Sequence, residues 1–317
     1  MLNTNNIYKY YPAMNIDILI QIFIEVDDFF ILFDEEIKKS RLISSPGRSR
    51  NRKSNLSDSE MMTIYIAFHL SHYTNFKAFY KQYVWVHWRD LFPALVSYER
   101  FNQSQSKLII PFIIFLNQRC LGHSRGVNFI DSTTIKVCHI KREKQHKVFA
   151  GIASKCKGSM GWFYGFKLHL VINDKGEILS FYLSKANTDD RNLKVINCLV
   201  KAIFGKLFGD RGYISQTLAD YLWNDGISLV YKRRRNMKKQ NLSDEDRLFL
   251  RKRSLIESVN DELKNICSVE HTRHRSLQGF MNNLLSGLCA YHFLPKKPSL
   301  KFEEQKVNPN VLLLSAA

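Results

Sequence analysis

Three carboxylates carry the chemistry open to this sequence. Asp131 lies in VNFIDSTTIKVC, residues 127–138; Asp210 in Gly209-Asp210-Arg211-Gly212; and Glu257 in Arg253-x3-Glu257-x6-Lys264. The first segment is β-branched and apolar on both faces, the pattern of a short buried strand. A charge there is costly unless it is paired, hydrogen-bonded or ligated to a cation. The second closes the apolar stretch 207–209, and the glycines beside it let the backbone turn or approach closely. The third falls in a helical pattern over about 243–266, whose buried stripe is Leu255, Ile256, Val259, Leu263 and Ile266. At ~100° per residue Arg253, Glu257 and Lys264 lie within about 40° of one another, while Glu262 points roughly opposite and Asp261 about 80° away. Glu257 is therefore the third ligand to expect. Oxygen donors suit Mg²⁺ or Mn²⁺, and a pair of such ions serves phosphodiester cleavage. Singly, each feature also reads as ordinary structure: a hydrogen-bonded strand aspartate, a turn, a surface ion pair.

The elements that must position these groups can be read along the chain. Residues 1–13 are polar and aperiodic, a flexible extension. Residues 15–39 give a long amphipathic helix, followed by a Pro/Gly/Ser-rich basic linker containing Arg48, Arg50, Arg52 and Lys53. Ser57 and Glu60 form a capping box ahead of MMTIYIAFHL, and helical patterns follow over 75–91 and 98–120. This gives an all-helical N-terminal domain, 14–122, suited to DNA-end binding or to plain helical oligomerisation. From 123 the pattern turns to strands. GWFYGFKLHLVIN and ILSFYLS flank Asp174-Lys175-Gly176 as a hairpin. A helix over 190–203, a strand ending at Asp210, a helix over 215–223, the strand ISLVYKR and the Glu257 helix complete an α/β unit, 123–294. Residues 295–317 read as a poorly ordered tail.

The chain has 317 residues with 47 Lys plus Arg against 29 Asp plus Glu, a formal charge of +18. Such a surface attracts polyanions, nucleic acid first among them. Two basic stretches, 139–157 with Lys144, Lys147, Lys155 and Lys157, and 232–239 with Arg233, Arg234 and Arg235, are expected to track a DNA backbone rather than read sequence. The six cysteines form no Cys-x2-Cys pair and match no recurrent zinc spacing. No run of about 18 apolar residues and no leader pattern is present, so the sequence predicts an intracellular, cytoplasmic protein.

Taken together, FIDSTTIKVC, HKVFAGIASKCKGSMGWFYGFKLHLVIN, ANTDDRN, FGDRGYIS and the Glu257 helix resemble the DDE transposases of bacterial insertion sequences, of the insertion-sequence 982 type, over residues 127–293. Leu250 departs from that pattern, where relatives often carry tyrosine. The resemblance implies a ribonuclease-H-like mixed sheet flanked by helices and preceded by the helical domain. It implies a DNA transposase that cuts element ends and joins them to target DNA, with Asp131, Asp210 and Glu257 as catalytic residues and metal ligands. Asp131 would bridge two Mg²⁺ or Mn²⁺ ions, no nucleotide cofactor would be used, and Arg253 and Lys264 would contact DNA phosphates. The expected partners are double-stranded DNA and further copies of the chain, with no membrane. Two alternatives remain: an inactive DNA-binding relic, and a ribonuclease-H-like nuclease that cleaves without joining.

Overall fold

The computed structural model describes residues 14–43, 55–71, 73–158, 161–237, 242–270 and 274–300. The extension 1–13, Arg48, Arg50, Arg52, Lys53, Lys238 and the tail beyond 300 lie outside the described residues.

Helix α1 (Ile16–Ile43) opens the helical third and packs on α2 (Asp58–Leu70). The capping box forms as the sequence predicts: Ser57 Oγ accepts from Glu60 N at 3.0 Å and Glu60 Oε2 from Ser57 N at 2.7 Å. Helix α2 is buried on nearly every side, which an apolar run without a polar face requires. The 75–91 pattern becomes α3 (Phe76–Ala78), a π turn Phe79–Val84 and α4 (Trp85–His87). The 98–120 pattern becomes α5 (Tyr98–Ser104), a 3₁₀ segment Gln105–Leu108, α6 (Ile109–Phe115) and a π turn Leu116–Cys120. Pro111 has no N–H to offer the carbonyl of Lys107, and the ladder tightens at that point.

The sheet contains β1 (Val127–His139), β2 (Ser154–Gly158), β3 (Gly161–Asn173), β4 (Ile178–Lys185), β5 (Gly205–Gly209) and β6 (Ile227–Tyr231). Its order is β2-β3-β1-β5-β6, and β4 pairs with β3 further along the edge that β2 occupies. β1 and β3 are antiparallel; β1, β5 and β6 are parallel. Helices α7 (Leu193–Val200) and α8 (Gln216–Asn224) bury one face with Ile130, Val171 and Leu207. Helices α9 (Asp244–Lys252), α10 (Ser254–Asn265) and α11 (Leu277–His292) bury the other with Phe129, Leu168 and Leu170. This is a ribonuclease-H-like mixed sheet flanked by helices and preceded by a helical region.

Several local outcomes differ from the sequence pattern. The 190–203 helix shortens to α7 because the Asn192 side chain caps it, accepting from Lys194 N and Val195 N. The 243–266 helix divides into α9 and α10 at Arg253, whose carbonyl accepts from Ile256 N in an i→i+3 bond. The basic stretch 139–157 is not one loop: it holds a 3₁₀ segment, Ile140–Gln145, and most of β2. Residues 295–300, expected to be poorly ordered, return to the β3–β4 turn, where Leu300 N donates to Asp174 O at 2.9 Å.

Helix α11 ties the two regions together. Asn282 Nδ2 donates to Gln105 O at 2.6 Å, and His69 Nε2 lies 2.8 Å from Ser286 Oγ. One continuous apolar core runs from α1 through α2 and α6 to α11 and the sheet. No helix among the described residues is long and apolar enough to cross a membrane.

Candidate active site

Parallel pairing sets the first two carboxylates. Phe129 of β1 is opposite Phe208 of β5, so Asp131, within β1, and Asp210, just past the end of β5, each two residues further on, stand at one level. Alternation puts Asp131 on the face of Phe129 and Ile135, beneath α10. From α10, Asn260 Nδ2 donates to Asp131 Oδ2 at 3.1 Å, with Asn260 only 7% exposed. One turn earlier, Glu257 is exposed and bonded to Arg253.

The electrostatics tie the three acids into one neighbourhood. Burial pushes the Asp131 carboxyl up to about 6, and the negative charges of Asp210 and Glu257 add to that rise. A backbone hydrogen bond at Ser132 and the Arg253 guanidinium oppose it. Tyr213 follows in the 3₁₀ turn after Asp210, with its hydroxyl buried and without a hydrogen-bond partner. Burial holds that hydroxyl well above the usual phenol range, and Asp190, Asp131 and Asp210 push it the same way.

Each acid has its own partner. Asp210 Oδ1 accepts from Gly212 N at 2.7 Å, Glu257 takes Arg253, and Asp131 takes Asn260. Among the described residues no three His, Cys, Asp or Glu side chains are gathered closely enough to hold a metal ion. The donors nonetheless suit a hard divalent cation: they offer oxygen only, and the charges of Asp210 and Glu257 raise the proton affinity of Asp131, a repulsion that a cation relieves. Glu262 is turned elsewhere, towards Cys267 and Tyr291, both of which feel its charge.

The basic residues fall into two groups. Arg253 and Lys264 are engaged, Arg253 by Glu257 and Lys264 Nζ by Glu270 Oε2 at 3.2 Å and Thr134 Oγ1 at 3.5 Å. Arg233, Arg234 and Arg235 are exposed, and Arg234 donates to the carbonyl of Arg211, which brings that run beside the Asp210 turn. Lys144, Lys147, Lys155 and Lys157 are also exposed.

The acidic pattern misses two features. Asn260 lies about 20° from Arg253 on the helical wheel, on the side of Ile256 and away from Glu257, and a polar residue bordering the apolar stripe is the available signal. The second is a network under the β4–α7 connection. Lys167 Nζ donates to Thr188 O at 2.8 Å and Asp190 Oδ1 at 3.2 Å, while His169 Nε2 lies 2.8 Å from Ser184 Oγ. Burial lowers His169 to about 4, which keeps it neutral at pH 7.

Comparison with known proteins places the α/β part of the chain in a described family. Residues 121–277 match the family described as "Transposase DDE domain". No curated protein matches the chain. Among solved structures, a cryo-EM piggyBac transposase synaptic complex with hairpin DNA is similar over 86% of this chain and 70% of that one, at 12% identity and TM-score 0.44. A crystal structure of the Mos1 strand transfer complex is similar over 76% and 86%, at 10% identity and TM-score 0.23. Likenesses this distant carry no argument about site or partner.

Proposed function

We infer that this chain, which carries a domain of the DDE-transposase superfamily, is a DNA transposase of a bacterial insertion sequence, of the 982 type, that cuts element ends and joins them to target DNA. The observation that supports this most is the common level of Asp131 and Asp210, with Glu257 close enough for its charge to reach Asp131. Asp131, Asp210 and Glu257 would hold Mg²⁺ or Mn²⁺, which when bound activates an attacking oxygen and stabilises a leaving one.

The chain's own residues prepare that exchange. Asn260 fixes one oxygen of Asp131. The strand end fixes Asp210, and Arg253 holds Glu257 in an ion pair. A phosphodiester entering beside α10 offers Arg253 a second anion, so Glu257 can turn inward as Arg253 turns to phosphate. Arg233, Arg234 and Arg235, beside the Asp210 turn, give the backbone of the same duplex a track.

The test uses labelled duplexes carrying the DNA that flanks the coding sequence, with supercoiled plasmid as target. Cleavage followed by joined products is expected with Mg²⁺ or Mn²⁺. Cleavage without joining would make the protein a nuclease, and retention without cleavage would make it a binding relic.

A further inference from the structure

The register places more on the Asp131 face than the acids. Leu170 is the Cα partner of Asp131 across β1 and β3, and β3 runs without a register shift along that pairing from Leu170 back to Phe166. Residues 162, 164, 166, 168 and 170 therefore share one face of the sheet with Asp131. Tyr164, Phe166, Leu168 and Leu170 are buried there, but Trp162 is 52% exposed. Its neighbours across β2 are cationic: Lys157 pairs with Trp162 and Lys155 with Tyr164, both lysines exposed on the same face. A tryptophan left half in water beside two lysines is an unusual use of the largest apolar side chain.

Eight residues of β3 separate Trp162 from Leu170, about 26 Å at ~3.3 Å per residue. That span equals roughly eight base pairs of B-form duplex at ~3.4 Å each. We propose that the β2–β3 hairpin is a DNA-contact arm: Lys155 and Lys157 hold phosphates, and Trp162 packs into the duplex groove about eight base pairs from the phosphate at Asp131. The proposal rests on the transposase reading for its partner and adds a place and an aromatic anchor to it. Lysines alone would give sequence-blind backbone affinity; an aromatic ring wedged at a base step adds contact that salt does not weaken. Trp223, 70% exposed on α8 against the opposite face, supplies an internal control.

The experiment follows intrinsic tryptophan emission and binding as a generic blunt duplex, longer than the span from Asp131 to Trp162, is titrated at several salt concentrations. Emission of the wild type and of Trp223→Phe should change on binding, and that change should vanish in Trp162→Phe. Trp162→Ala should bind about tenfold more weakly with an unaltered slope of log K against log salt. Lys155→Ala with Lys157→Ala should instead flatten the slope by about 0.9 per phosphate no longer neutralised. An emission change that survives in Trp162→Phe, or a Trp162→Ala protein that binds as tightly as wild type, overturns the arm while leaving DNA binding intact. A wild type that binds no duplex at all overturns both the arm and the transposase reading.

Discussion

Asp131 is the residue on which stability and proposed chemistry conflict. Its carboxyl is raised to about 6 in the folded chain against an ordinary value of 3.8. The folded state therefore holds its proton more tightly than the unfolded one, and stability is lost as pH rises from about 4 to about 6. At neutral pH the charge costs about 2–3 kcal/mol at most. Asp131→Asn should accordingly melt higher than wild type at pH 7 to 8, with the gain absent near pH 4, and should lose strand cleavage. Equal melting at both pH values would show that burial does not penalise this carboxylate. Asn260 makes the complementary case. Asn260→Ala leaves Asp131 Oδ2 without its donor, and the expected effect is a 10–100-fold loss of cleavage or metal affinity with generic DNA retention unchanged. Asp131 and Asp210 are legible in the sequence because a charge in a two-faced apolar strand and a glycine-flanked strand end both need explaining. Asn260 is not, because an amide at the edge of an apolar stripe passes for an ordinary boundary residue.

Among the elements, strands are more legible than helices. Period-two alternation and the Asp174-Lys175-Gly176 turn fix β3 and β4, and Gly176 takes the left-handed conformation, φ 71°, that the hairpin needs. The breaks within the helical runs are less visible, since Pro111 apart no residue at the π turns or at Arg253 forbids a helix. Helix α11, buried on nearly all sides, shows no single apolar stripe for a periodicity argument to find. Gly165 offers a test of the strand register. A Cβ there would lie 2.2 Å from the Ile135 carbonyl, beside the irregularity between Lys136 and Cys138. Gly165→Ala should therefore destabilise by about 1–3 kcal/mol, seen as a lower thermal midpoint, because β1 and β3 must separate to admit a methyl group. Gly151→Ala, with nothing within 4 Å but a φ of 79°, should cost less, through backbone strain alone.

For the whole molecule, charge is segregated as well as large. Helix α1 carries seven acids, among them Asp27, Asp28, Asp34, Glu35 and Glu36, against three bases, in a chain of net +18. A helix of that sign is a poor surface for a polyanion, so the basic track runs through the sheet end, where Arg233, Arg234 and Arg235 lie beside the Asp210 turn. Two of these arginines already touch backbone carbonyls, Arg233 at Met237 O and Arg234 at Arg211 O, which orders the run without neutralising it. Replacing all three with alanine should weaken retention of every duplex to a similar degree, specific end or generic, because phosphate contacts carry no sequence. The slope of log K against log salt should shrink by about 0.9 for each phosphate that the variant leaves to its counterions. Titrations of the triple variant and of wild type at several salt concentrations decide it. An unchanged slope would return the run to an ordinary solvated loop, and a loss confined to one duplex sequence would make these arginines readers of base edges rather than a backbone track.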